Sequence, residues 1–179
     1  MKRTVLRTLA VAVALIAAAA AVLWFAPPLL PDTRIVNEIT IARPPQQVYD
    51  YVTTPANWPR WHPSSLAVRG ATDHPLAKGE SVVEDFIVAG RRGTVTWTVE
   101  SREAPFRWSI DGKNTGSRGG GTVTYTLRPE GGGTRFTREL SYHMPNLLGA
   151  ILNSFGVRER VAAESAEAVA RLKAVLEKG

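Results

Sequence analysis

Arg138 is the side chain in this sequence whose position most invites a chemical role. It falls on the inward phase of an alternating run with Phe136, Leu140 and Tyr142. A guanidinium facing a covered interior needs a partner, because burying an unpaired charge is costly. Glu84 shares a phase with Val82, Phe86 and Val88 and is the candidate partner; a ligand carboxylate could serve instead. A β-bulge that shifted the register would turn Arg138 out to water. Trp58 and Trp61 form the second group. Aromatic walls suit an apolar ligand, and the same two side chains could equally pack a helical linker onto a sheet. His62, between Trp61 and Pro63, has the residue type of a general base, although a turn-capping histidine is the commoner case. Trp97, Trp108, Tyr125 and Tyr142 stand on inward phases, as core or as cavity lining. Glu84 and Asp85 cannot act as an acid/base pair, since neighbours on a strand point to opposite faces.

Other chemistries find no residues to carry them. The chain has no cysteine, which excludes thiol catalysis, thiolate metal sites and a disulfide framework. His62, His74 and His143 lack metal-ligand spacing, so neither a metal nor a cofactor is expected. The glycine runs at Arg118-Gly119-Gly120-Gly121 and Gly131–Gly133 are not followed by Gly-Lys-Ser/Thr, and hairpins explain them better than phosphate loops do. The formal charge of +6 and pI near 10 raise the question of nucleic acid. Three of those charges, Lys2, Arg3 and Arg7, precede an apolar run, and the rest are spread thinly without interleaved aromatics. No nucleic-acid partner is expected.

These side chains need elements to position them. Thr33–Ala42 reads as a first strand, and Gln46–Thr53 as a short helix with Val48, Tyr51 and Val52 at helical spacing. The prolines of the segment 54–63 rule out a long helix there. Leu66–Ala71 and Ser81–Ala89 are strand-like, the latter ending at Gly90-Arg91-Arg92-Gly93. Val95, Trp97 and Val99 alternate with threonines, as do Phe106, Trp108 and Ile110 with other residues, and then Val123, Tyr125 and Leu127 with threonines again. Arg135–Tyr142 closes the series after a hairpin at Pro129–Gly133. Strict period two means one face covered and one face wet, hence an antiparallel sheet. From Asn146 to Lys178 apolar residues recur every three or four positions, with Ser165 in the same stripe and Gly156 as a point of bending. Six or seven strands followed by one long helix argue for an α+β fold.

The first 32 residues differ in kind. Leu9–Ala26 is an unbroken apolar stretch of 18 positions, roughly 27 Å as a helix against a hydrocarbon core of about 30 Å. Trp24 and Phe25 close it and Pro27-Pro28 end it. A cleaved signal peptide with a site in Ala17–Ala21 is the competing reading, but the apolar run continues past any such site. Residues 9–26 are therefore expected to be a single-pass membrane anchor, with residues 27–32 a stiff proline-rich tether and residues 33–179 one domain. The basic flank predicts a cytoplasmic N-terminus and a domain on the non-cytoplasmic side.

Three stretches resemble the START-like (SRPBCC) superfamily and its polyketide cyclase/dehydrase-like branch. They are Ile39-Thr40-Ile41-Ala42-Arg43-Pro44-Pro45-Gln46-Gln47-Val48-Tyr49, then Asn57-Trp58-Pro59-Arg60-Trp61-His62-Pro63, then the late Gly-Gly-Gly-Thr hairpin and long terminal helix. The resemblance spans roughly Thr33 to Lys178. It implies a helix-grip fold, a curved antiparallel sheet closing around the C-terminal helix with a cavity between, and Trp58 or Trp61 near the cavity mouth. Many members bind apolar molecules and some are enzymes, with no shared catalytic motif. A hydrophobic small molecule or lipid is the partner it implies, held by some of Trp58, Trp61, Glu84, Trp97, Trp108, Tyr125, Arg138 and Tyr142. A cyclase or dehydratase acting on an aromatic or polyketide-like substrate, and a ligand-free interaction protein with a collapsed core, are the alternatives.

Overall fold

The alternating segments become seven strands. The computed structural model of the chain describes residues 2–178. The order is α1 (Lys2–Phe25), β1 (Thr33–Ile41), α2 (Pro45–Thr53), a 3-10 turn (Pro55–Asn57), α3 (Trp58–Trp61), β2 (Ser65–Gly70) and β3 (Ser81–Val88). Then follow β4 (Arg91–Glu103), β5 (Arg107–Asn114), β6 (Gly120–Glu130), β7 (Gly133–His143), α4 (Leu147–Leu152), a kinked turn (Asn153–Val157) and α5 (Arg158–Lys178). The strands form one antiparallel sheet, β1-β7-β6-β5-β4-β3-β2. This is the expected α+β helix-grip arrangement, with the sheet curved around α5.

Local chemistry explains the boundaries. Pro45 opens α2, where its missing N–H costs nothing. The β3–β4 hairpin turns on two residues, Ala89 (φ 48°) and Gly90 (φ 79°), and the β6–β7 hairpin on Gly131 (φ 57°) and Gly132 (φ 81°). Both have the doubly positive φ of the two-residue turn that matches strand twist. The expected turn over Gly90–Gly93 is thus too wide, since Arg91 and Arg92 already pair with Val88 and Ile87. Phe106 also departs from expectation. It is half exposed, because its backbone N–H bonds to Glu103 O at 2.7 Å in the β4–β5 turn and the strand begins only at Arg107. Bulges between Ser65 and Ala67 and between Val99 and Ser101 bend the strands they interrupt.

The long terminal helix is divided, as Gly156 suggests. Phe155 and Gly156 leave helical geometry, with Gly156 at φ 115°, a conformation natural to glycine. The two halves of α5 then do different work. Ala168, Val169, Leu172 and Leu176 join the main core with Ile41, Val48, Trp61, Trp108, Leu127 and Phe136. Val161, Glu164 and Ser165, nearer the start of the helix, border a space instead. The N-terminal helix α1 is long and apolar enough to cross a membrane: within Arg3–Phe25 an 18-residue window has a mean hydropathy of 2.5, and none of that window is buried. Its C-terminal carbonyls are taken up by the remainder of the chain: Leu147 N–H donates to Ala26 O (3.0 Å) and Arg118 Nη2 to Phe25 O (3.0 Å).

Candidate ligand cavity

A curved sheet cannot stay in contact with a straight helix along its whole length, and the gap here is substantial. A cavity of about 440 Å³ lies between the concave face and the first half of α5. That void is at odds with a collapsed, ligand-free core. Its walls come from β3 to β7, the segment after α3, and α5. Two glycines make room for aromatic rings in those walls. A Cβ on Gly93 would lie 2.4 Å from the Phe86 ring, and one on Gly112 only 2.3 Å from the Trp97 ring. Each ring takes the place that a side chain would fill on the glycine opposite it on the neighbouring strand.

The polar end of the cavity is built on Arg138. Arg138 is 5% exposed, so the inward phase of β7 holds and the outward alternative fails. Its cross-strand neighbours are Tyr125 on β6 and Asn37 on β1. Nη1 donates to Ser165 Oγ at 2.7 Å, and the Ser165 hydroxyl donates onward to Asn37 Oδ1. Nη2 lies 3.1 Å from His62 Nε2. Arginine has only donors, so Nε2 must accept and His62 is neutral, with its proton on Nδ1. Burial, reinforced by the neighbouring Arg138 charge, holds the histidine pKa well below its ordinary value. Arg138 Nε has no partner among the described residues.

Glu84 is not the ion-pair partner of Arg138. It borders the same cavity but accepts from Trp97 Nε1 at 2.7 Å, and no salt bridge among the described residues joins it to Arg138. The reason is topological. Three strands separate β3 from β7, about 19 Å along a flat sheet, and curvature brings the two groups to face one cavity without bringing them into contact. Burial pushes the Glu84 pKa up, against the opposing pulls of Ser65, the Trp97 hydrogen bond and the Arg138 charge. Tyr125, wholly enclosed, is pushed up to about 12, also by burial.

The tryptophans sort by depth. Trp58 (5% exposed) and Trp61 (1%) border the cavity but stand at its closed inner end, not at the expected mouth. Trp58 Nε1 donates to Val52 O at 2.9 Å, and its ring meets Trp108 edge-on. They therefore also pack α3 onto the sheet. Trp108 is completely buried, stacked on Tyr125 at 5.3 Å, and belongs to the core rather than to the cavity wall. Trp97 and Tyr142 do border the space. The Tyr142 hydroxyl donates to Asn153 Oδ1 (2.7 Å), and Asn153 Nδ2 to Thr33 Oγ1 (2.8 Å), which pins the kink to both β7 and β1.

The exposed residues of the lining, Arg91, Arg92, Thr115, Ser117, His143 and Leu152, place the mouth beside the β3–β4 hairpin, the β5–β6 turn, the end of β7 and the end of α4. Glu164 of α5 holds one side of it, accepting from Ala89 N–H (2.9 Å) and the Ser64 hydroxyl (3.0 Å). Sequence reasoning misses Glu164 and Ser165 as cavity residues. Ser165 does leave a signal, a polar residue at a core-facing step of the helical stripe.

Among curated proteins none matches the chain. Solved structures share the fold. A protein from Rhodobacter sphaeroides is 24% identical, with a TM-score of 0.62 over 82% of this chain and 93% of that one. TTHA0849 from Thermus thermophilus is 15% identical, with a TM-score of 0.66 over 82% and 98%. DynU16, a protein of the dynemicin biosynthetic locus, is 21% identical, with a TM-score of 0.59 over 83% of this chain and 49% of its own. The profile of a family described as polyketide cyclase / dehydrase and lipid transport matches residues 32–177. With that match over nearly all of the sheet and its gripping helix, the chain belongs to the polyketide cyclase / dehydrase and lipid transport family.

Proposed function

We propose that this chain is a membrane-tethered binding domain that takes a hydrophobic small molecule or lipid into the cavity beneath α5. The observation that carries the reading is the cavity itself. Its volume of about 440 Å³ falls in the range of small-molecule sites, and its mix of apolar walls with a few fixed polar groups is how such sites are built. Binding rather than catalysis is favoured by His62, whose acceptor nitrogen is occupied by Arg138 and is not free to take a proton from a substrate.

The tether supports the same reading. Arg118 and Leu147, which hold the last carbonyls of α1, sit on the β5–β6 turn and the start of α4, beside the mouth. With α1 in a bilayer, the opening would lie at the interface, where apolar ligands partition. Phe155, 83% exposed on the kink, would then contact lipid.

Native mass spectrometry of the full chain, extracted with its host lipids into nanodiscs, tests the proposal. A bound small molecule should be released at one per chain, and should vanish from a Leu140→Trp variant, whose indole would fill the cavity. The same mass retained by that variant, or none in either, would refute it.

A further inference from the structure

We infer that the cavity takes an acidic amphiphile, with its anionic head on Arg138 and its apolar body along the aromatic walls. This inference rests on the binding reading above and names the ligand class. A buried cation is normally matched by an anion, because an uncompensated charge away from water is costly. Arg138 is 5% exposed, yet its two hydrogen-bond partners, the Ser165 hydroxyl and the His62 ring nitrogen, carry no charge. The carboxylates that share the cavity are committed elsewhere, Glu84 to Trp97 and Glu164 to Ala89 and Ser64.

The free donors have the right form for an acid. Guanidinium carries five N–H groups; Nη1 gives one to Ser165 and Nη2 one to His62, so each keeps a second, while Nε lies enclosed. A carboxylate can accept two parallel bonds from such a fork, which a lone hydroxyl or ketone cannot. Ser165 and His62 hold the fork at fixed angles from α5 and from the end of α3, so it does not have to be ordered when a ligand arrives. The position is also right. Arg138 stands beside Tyr125, which in turn meets Trp61 at the closed end, so a head bound there leaves the apolar body pointing toward the mouth. Glu84, across the space, sets an opposing charge whenever it is ionised.

The test uses the full chain in phosphatidylcholine nanodiscs, with carboxyl-13C dodecanoate as the acidic probe and 1-dodecanol as its neutral counterpart. Dodecanoate should give a bound carboxyl resonance distinct from that in empty nanodiscs, and equal dodecanol should not displace it. Arg138→Gln should weaken dodecanoate binding about ten- to a hundredfold, the loss expected for charge-assisted hydrogen bonds, and should leave dodecanol binding unchanged. Arg138→Lys should fall between, and Glu84→Gln, which removes the opposing charge, should tighten dodecanoate binding. The comparison of the two probes on the unaltered chain stands even if an Arg138 variant fails to fold. Equal binding of acid and alcohol, or undiminished dodecanoate binding by folded Arg138→Gln, overturns the acidic-head inference alone. Failure of both probes to bind overturns it together with the binding function.

Discussion

Replacing Ser165 with alanine removes one oxygen and breaks two hydrogen bonds at once. The residue is 2% exposed, accepts from Arg138 Nη1 at 2.7 Å and donates to Asn37. The first bond involves a charged donor and is worth about 1.5–3 kcal/mol; the second is neutral and worth about 0.5–1.5 kcal/mol. Water from the adjacent cavity can rehydrate one side of the guanidinium, so the lower half of the summed range applies, about 2–3 kcal/mol. In an Arg138→Met background only the neutral bond remains to be lost, and Ser165→Ala should cost about 1 kcal/mol. The two substitutions should therefore couple by about 1–2 kcal/mol. Urea unfolding of the full chain in nanodiscs, followed by tryptophan fluorescence, measures all four corners of the cycle. Strict additivity would refute the reasoning, and so would a Ser165→Ala effect below about 0.5 kcal/mol, the ordinary scatter of inconsequential substitutions.

Acid should weaken the fold through His62. Its folded pKa lies well below the ordinary 6.5, so between those values the unfolded chain binds the extra proton. The His62 contribution is present above about 6.5 and is lost as pH falls through the folded value, by at most about 1.4 kcal/mol per pH unit. Glu84, with its pKa raised from 4.5, has the opposite sign: its contribution is lost as pH rises from there through its folded value. The difference between wild type and His62→Gln in pH-dependent unfolding isolates the histidine, and identical profiles would show that it titrates normally. Gly112→Ala places a Cβ within 2.3–2.8 Å of the Trp97 ring, which should break the Trp97–Glu84 bond and destabilise by about 1–3 kcal/mol, as overpacking does; unchanged Trp97 fluorescence and stability would contradict this. The proposal of a retained anchor predicts that the mature native protein still contains residues 9–26, and a mature N-terminus between Ala18 and Asp32 would sink it. On intact spheroplasts, added protease should digest residues 33–179, while protection would reverse the topology.

Two kinds of pattern carry the legible part of this protein. Period-two alternation names the strand faces, because a strand's side chains take only two directions, and it puts Arg138, Glu84, Trp97 and Tyr125 on the covered face whatever the sheet's curvature. The unbroken run 9–26 identifies α1, because hydrocarbon length is a one-dimensional criterion. Phase, however, is periodic only inside an element, which is why Phe106 reads as inward although a turn has already interrupted its strand. Partnership lies further still from local pattern. Arg138 meets Ser165 and His62 because α5 and the end of α3 converge on the concave face, and it misses Glu84 because three strands lie between. Depth in the cavity is likewise set by the fold. Trp108 and Trp97 have the same residue type and phase, yet one fills the core and the other lines the space, since only the distance between curved sheet and straight helix decides where packing ends and the cavity begins.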